Sequence, residues 1–146
     1  DVIQGFIDRV DPIVEGQPAK VFILGGVNDI SHDLTPDSLC TSMEKLIVKI
    51  KQGSPRTKIY LQSLLPIDNS FGRYRKMVGK EQVIVETNRL YKEMAERHGV
   101  TWIDLYSKMV DPATGSMRKG LTNDGLHLLG AGYLVWRDAV LPYVKK

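Results

Sequence analysis

Two short segments of this 146-residue chain carry residue types that suit acyl transfer. Gly25-Gly26-Val27-Asn28-Asp29 follows an apolar run, and Thr122-Asn123-Asp124-Gly125-Leu126-His127 precedes a helical pattern. An acid three residues ahead of a His, as Asp124 is to His127, can accept a hydrogen bond from the imidazole Nδ1–H. That contact fixes the tautomer, stabilises the imidazolium and leaves Nε2 as a general base. The same spacing also fits a turn-capping Asp beside a partly exposed His. Asn28 brings two N–H donors for a developing oxyanion, and glycines at 25 and 26 let the backbone turn sharply. Asn28 and Asp29 would equally serve to shape a turn and cap the next segment.

The remaining reactive side chains point elsewhere. His98 lies between Arg97 and Gly99 at a helix end, where a cation favours the helix dipole. His32 sits in a loop and reads as a surface residue, and Cys40, the only cysteine, reads as a small buried hydrophobe. Three scattered His and one Cys do not approach metal-ligand spacing, so no metal is expected. No glycine-rich phosphate loop is present and no cofactor is expected. Net charge is +3, from 20 Lys+Arg against 17 Asp+Glu, with the basic residues mostly interleaved among acids. That argues against a nucleic-acid partner, which calls for a basic stripe with stacking aromatics. Arg73, Arg75, Lys76 and Lys80 form the one basic cluster, read either as a solvated loop or as a rim that attracts anions. No apolar run approaches a membrane span of about 18–20 residues.

Hydrophobic spacing then supplies the elements. Residues 2–14 are predicted to form one amphipathic helix with Ile3, Phe6, Ile7, Val10, Ile13 and Val14 inward. Strands are predicted over Lys20–Leu24, Thr57–Leu65 and Val100–Leu105, the first as a continuous apolar run of the kind buried on both sheet faces. Helices are predicted from Asp37 to about Gln52, from Gln82 to His98 and from Leu129 to about Tyr143. The last presents Tyr133, Leu134, Trp136, Val140 and Leu141 inward. Residues 67–80 and 107–128 read as loops, where function tends to collect. Alternating helices and strands imply one α/β domain with a parallel sheet covered on both faces. Ligands of such sheets bind beyond the carboxyl ends of the strands, where both segments lie. The first helix lacks a strand to feed it, and the 20–24 strand would be left as an apolar edge. One or two strands before residue 1, or a second copy of the chain, are expected to cover it.

Gly26-Val27-Asn28-Asp29 and Asp124-Gly125-Leu126-His127 resemble the Gly-x-Asn-Asp and Asp-x-x-His blocks of the SGNH (GDSL-like) esterases and lipases. Their order, separation and placement match that family over essentially the whole chain, closest to bacterial acylhydrolases similar to platelet-activating-factor acetylhydrolase. The resemblance implies a flavodoxin-like three-layer α/β/α sandwich of about five parallel strands, here without the first one or two.

By position, the resemblance makes Asn28 an oxyanion donor, His127 the base and Asp124 its orienter. It makes Asp29 a partner of its loop. Gly26 and Asp29 are expected at the substrate, and Arg73, with Arg75 and Lys76, is expected to line the entrance from the long loop and to favour polar or anionic substrates such as acylated carbohydrate. The family's Ser nucleophile lies in a Gly-Asp-Ser block, and this sequence has none. Residues 1–146 are therefore expected to be an N-terminally shortened domain without activity of its own, or else a non-catalytic binding module. The substrate expected for the intact enzyme is a short acyl ester of a carbohydrate or lipid. An exported bacterial protein is favoured over a cytoplasmic one.

Overall fold

The computed structural model describes residues 2–145. Strands β1 (Lys20–Ile23), β2 (Lys58–Gln62) and β3 (Thr101–Ile103) form a parallel sheet in that order. The helices are α1 (Ile3–Asp8), α2 (Asp11–Gly16), α3 (Val27–Ser31), α4 (Pro36–Gly53), α5 (Glu81–Arg97), α6 (Tyr106–Met109) and α7 (Gly130–Lys145). Ile23 pairs with Leu61, and Leu61 with Trp102, so the three strands end together at one edge.

Side chains alternate across each strand, and both faces are covered. Ile23, Ile59 and Leu61 pack into the main core with α4 and α5. Tyr60 and Ile103 turn the other way, onto Ala139 and Val140 of α7. This is the three-layer α/β arrangement expected from the alternation of patterns. The inner stripes of the two long helices are those read from spacing: Leu39, Met43, Leu46, Ile47 and Ile50 on α4, and Ile84, Thr87, Tyr91, Met94 and Ala95 on α5. Helix α4 begins at Pro36, one residue earlier than predicted, because the Thr35 side chain accepts from Ser38 N–H at 3.1 Å and proline suits the first turn.

Three predicted features differ. The helix over residues 2–14 is broken at Arg9 and Val10 into α1 and α2. Pro12 tolerates the first turn of α2, but within a continuous helix it would leave the Asp8 carbonyl without its donor. Segment 27–31, read as part of a turn, is a short helix. On α7 the inward residues are Gly132, Val135, Trp136, Ala139, Val140 and Tyr143, while Tyr133, Leu134 and Leu141 are exposed. The indole of Trp136 selects this face by donating to Gln62 Oε1 at 2.8 Å.

Among the described residues β1 pairs only with β2. Its free side opens on an apolar groove of about 370 Å³ lined by Phe6, Val10, Ile13, Val21 and Leu24. No described helix is long and apolar enough to cross a membrane. Cys40 is half-buried and donates weakly to the Leu90 carbonyl, and His98 closes α5 with Nε2 at 2.8 Å from Glu44. His32 is exposed.

Side chains also tie the strand ends together. Ser63, fully buried, accepts from Leu105 and Tyr106 N–H at 2.9 and 2.8 Å, joining the ends of β2 and β3. Asn88 of α5 accepts from Leu64 N–H at 2.8 Å and donates to the Leu64 carbonyl at 3.1 Å, standing in for a neighbouring strand. Asn88→Leu leaves two buried backbone groups unpaired and is expected to cost about 1–3 kcal/mol. Urea unfolding should show a lower midpoint at unchanged slope, and an unchanged midpoint would mean water replaces the amide without penalty.

Candidate active site

The segment after β1 turns at Gly26, whose φ of +129° is open to glycine alone in practice. A Cβ there would also lie 2.8 Å from the Tyr91 hydroxyl and 3.0 Å from Leu39. Tyr91 is buried under this turn and donates to the Gly25 carbonyl at 3.1 Å, and burial pushes its phenol well above the usual range. Gly26 thus starts α3 with its backbone tight against the core, and Asn28 in the first turn of α3 is held at the surface. Among the described residues nothing is hydrogen-bonded to the Asn28 carboxamide, while the Asn28 backbone carbonyl accepts from Ser31 Oγ at 2.6 Å.

Asp29 differs from the expectation that it touches substrate. It is 3% exposed and accepts from Ile3 N–H through Oδ1 at 3.1 Å. One carboxylate therefore satisfies an unpaired N–H at the start of α1 and anchors α1 beside α3. Desolvation raises its pKa, and the Ile3 N–H bond opposes that rise. Its carboxylate ties this segment to the start of α1.

The second segment is closed by an antiparallel bridge between Thr122 and Leu128. Within it Thr122 Oγ1 accepts from the N–H groups of Asp124 and Gly125 at 3.3 and 3.0 Å. Asp124 Oδ1 accepts from the N–H groups of Leu126 and His127, each at 2.8 Å. The other oxygen, Oδ2, lies 2.8 Å from His127 Nδ1. Asp124 therefore caps the turn through one oxygen and meets the imidazole through the other. The Leu126 and His127 N–H bonds, then the imidazole, keep this carboxyl well below the usual carboxylate range. With Nδ1 engaged, Nε2 is the nitrogen left for proton transfer.

Tyr74, which spacing did not single out, completes the pair. Its hydroxyl donates to Asp124 Oδ2 at 3.3 Å and lies 3.1 Å from His127 Nδ1, with the two rings edge to face. Desolvation, then the Asp124 charge, raises its pKa, so the phenol stays protonated and remains a donor. The loop carrying Tyr74 is fixed by Lys80, which pairs with Asp33 at 2.7 Å, and by buried Met77, whose carbonyl accepts from Asn69 at 2.9 Å. Asn69 also bonds Glu81. Gly125 joins this loop to the turn: Asp68 N–H donates to its carbonyl at 2.8 Å, and a Cβ on it would overlap the Asp68 carbonyl oxygen at 2.0 Å.

Asn28 and His127 meet at the carboxyl edge of the sheet, where they line the same two cavities. One, of about 290 Å³, is walled by Phe6, Leu24, Leu64, Pro66 and Leu126, with Gly26 at its floor. The other, of about 520 Å³, includes Arg73, Tyr74, Arg75 and Lys76. Asp29 lines neither. A paired imidazole beside a free carboxamide can move a proton and stabilise an oxyanion at one point. Among the described residues no serine hydroxyl is hydrogen-bonded to His127. No described group of three or more His, Cys, Asp or Glu is arranged to hold a metal.

The parallel sheet, covered by helices on both faces, is of the flavodoxin-like α/β kind. Residues 2–135 match the GDSL-like Lipase/Acylhydrolase family, and the chain belongs to that family. Solved structures agree. A protein of Streptococcus pneumonia named for platelet activating factor is 28% identical with a TM-score of 0.86, covering 98% of this chain and 68% of its own. The Enterococcus faecalis lipase/acylhydrolase is 25% identical with a TM-score of 0.79, covering 99% of this chain and 71% of its own. A GDSL-like lipase of Bacteroides thetaiotaomicron, 21% identical, shares the fold with a TM-score of 0.88 over 99% of this chain and 71% of its own. No curated protein matches the chain.

Two outcomes follow from the turn. Because the folded Asp124 pKa is depressed, its bonds stabilise the turn fully above the ordinary value of 3.8 and are lost as pH falls through the lower, folded value. The Asp124 carboxyl carbon, followed by NMR, should titrate with a midpoint below 3.8. A midpoint at or above that value would show that the backbone bonds do not persist in solution. Gly125→Ala, which combines a φ of +92° with the clash on Asp68, is expected to destabilise the fold by about 1–3 kcal/mol or displace the 67–80 loop. A thermal melt and the amide spectrum of that loop read both effects, and native values in both would contradict the tight approach.

Proposed function

We propose that this chain supplies the base, the orienting acid and an oxyanion donor of a serine esterase that cleaves short, acetyl-type acyl esters of carbohydrate or lipid. The observation that carries this reading is the 2.8 Å contact between His127 Nδ1 and Asp124 Oδ2, at a crevice that Asn28 also lines. The attacking serine is assigned to a Gly-Asp-Ser block outside residues 1–146, since the sequence contains no such block.

The serine hydroxyl adds to the ester carbonyl while its proton passes to His127 Nε2. Asn28 donates to the oxygen that becomes negative, and Asp124 stabilises the imidazolium. Collapse breaks the bond to the alcohol, which leaves with the proton from Nε2. Water then gives its proton to the same nitrogen and releases the acid, restoring the serine. Tyr74 acts as a positioning residue that holds Oδ2 in line with Nδ1. Gly26 shapes the acyl crevice and Arg73 meets the substrate at the rim. Asp29 acts on substrate only through the loop it anchors.

The product of the complete reading frame tests this reading. His127→Ala should lower kcat on an activated acetyl ester by on the order of 10⁶, and Asn28→Ala by on the order of 10² to 10³ with little change in KM. Residues 1–146 alone should give no burst of alcohol from that ester, and a burst abolished by His127→Ala would place the nucleophile inside them. The absence of Gly-Asp-Ser from this sequence also suits a non-catalytic binding module. A complete reading frame without such a block, whose product hydrolyses nothing, would establish that alternative.

A further inference from the structure

The two cavities that share Asn28 and His127 have opposite chemistry. The smaller is walled by Phe6, Leu24, Leu64, Leu65, Pro66 and Ile67, and no Lys, Arg, Asp or Glu lines it. The larger takes three cations, Arg73, Arg75 and Lys76, from the 67–80 loop, and no carboxylate lines it. Among the described residues none of these cations makes an ion pair. The nearby acids are already engaged: Asp33 with Lys80 at 2.7 Å, and Asp124 with its own turn and His127. The loop backbone is held by the buried Met77 and the Lys80 bridge, which keeps its cations at this cavity.

Building on the esterase reading above, we propose that the substrate is an ester whose alcohol portion bears an anionic group, a sulfonate, phosphate or carboxylate. The acyl chain lies in the apolar cavity, and the alcohol extends into the cationic one. Three unpaired cations around one cavity raise the local concentration of an anion. Their field also stabilises the negative charge that grows on the leaving oxygen as the acyl bond breaks, before His127 protonates it. The sizes agree with this division, since the cationic cavity of about 520 Å³ has room for more than the apolar one of about 290 Å³.

Three acyl esters separate the sides of the site: neutral phenyl acetate, 4-sulfophenyl acetate with its anion on the alcohol, and phenyl hemisuccinate with its anion on the acyl group. The enzyme from the complete reading frame is compared with its Arg73→Ala, Arg75→Ala, Lys76→Ala triple variant. The substitutions lie on exposed side chains and spare the fold. The variant should lose about ten-fold more kcat/KM on 4-sulfophenyl acetate than on phenyl acetate, a difference that shrinks as salt rises from about 50 to about 500 mM. An equal loss on both acetates, or a selective loss on phenyl hemisuccinate, overturns the proposal.

Binding provides a second reading that needs no turnover. In the product of the complete reading frame, 4-hydroxybenzenesulfonate should shift the amide signals of Tyr74 and His127, and the triple variant should abolish those shifts. Absence of the shifts in the unsubstituted chain counts against the anionic subsite. Shifts without hydrolysis of any ester by the complete enzyme would keep the subsite and remove the esterase reading.

Discussion

The site depends on one carboxylate serving two masters. Asp124 Oδ1 closes the backbone turn through the N–H groups of Leu126 and His127, and Oδ2 takes the His127 imidazole. Because the turn needs a charged acceptor, the carboxyl is held ionised well below its usual range. Because the turn is three residues long, the imidazole it orients is carried by the same backbone that the carboxylate fixes. The side chain of His127 is largely exposed, so packing does little to hold it. Hydrogen bonding to a rigid turn does that work instead.

A rigid turn positions nothing unless its neighbours are fixed to it, and here the ties are short-range contacts between strand ends. The parallel register brings the three carboxyl ends to one edge. Asn88 then replaces the backbone partners that β2 loses as it leaves the sheet, and the Ser63 hydroxyl takes the N–H groups that follow β3. Gly125 lets the turn touch the Asp68 carbonyl without a side chain between them, and Gly26 does the same against Tyr91. At both glycines a close approach of backbone to its surroundings, more than flexibility, explains the residue. On the other side of the crevice, Asp29 uses its buried carboxylate on α1, which leaves the next-door carboxamide of Asn28 unengaged.

Much of this was legible in the sequence because it rests on local pattern. The stripes of α4 and α5 follow a 3.6-residue period, and both long helices bury the residues that the period marks. The strand that reads as a continuous apolar run is parallel, though at the sheet edge only its Ile23 is buried. Asp124 and His127 were found because their bond spans three residues. Tyr74 was not, since its contacts to them span 50 and 53 residues and no spacing rule reaches that far. Asn88 was hidden likewise, as an ordinary polar residue on a helix. The inner face of α7 was misjudged because its sequence is apolar on several sides. The choice was made by Trp136 reaching Gln62, a tertiary contact. The α1–α2 break was signalled by Pro12, which the periodicity of the flanking residues masked.

The site's chemistry also explains why its walls differ. A cation bonded directly to the Asp124 carboxylate would compete with the imidazole for Oδ2. The basic residues come from a loop pinned by Lys80 and Met77, and it is Tyr74 of that loop that bonds the Asp124–His127 pair. The phenol supplies a neutral donor to the carboxylate where a cation would bind it outright. Arg73 and its neighbours can then bear on the outer cavity while the acid at the centre remains partnered to its imidazole.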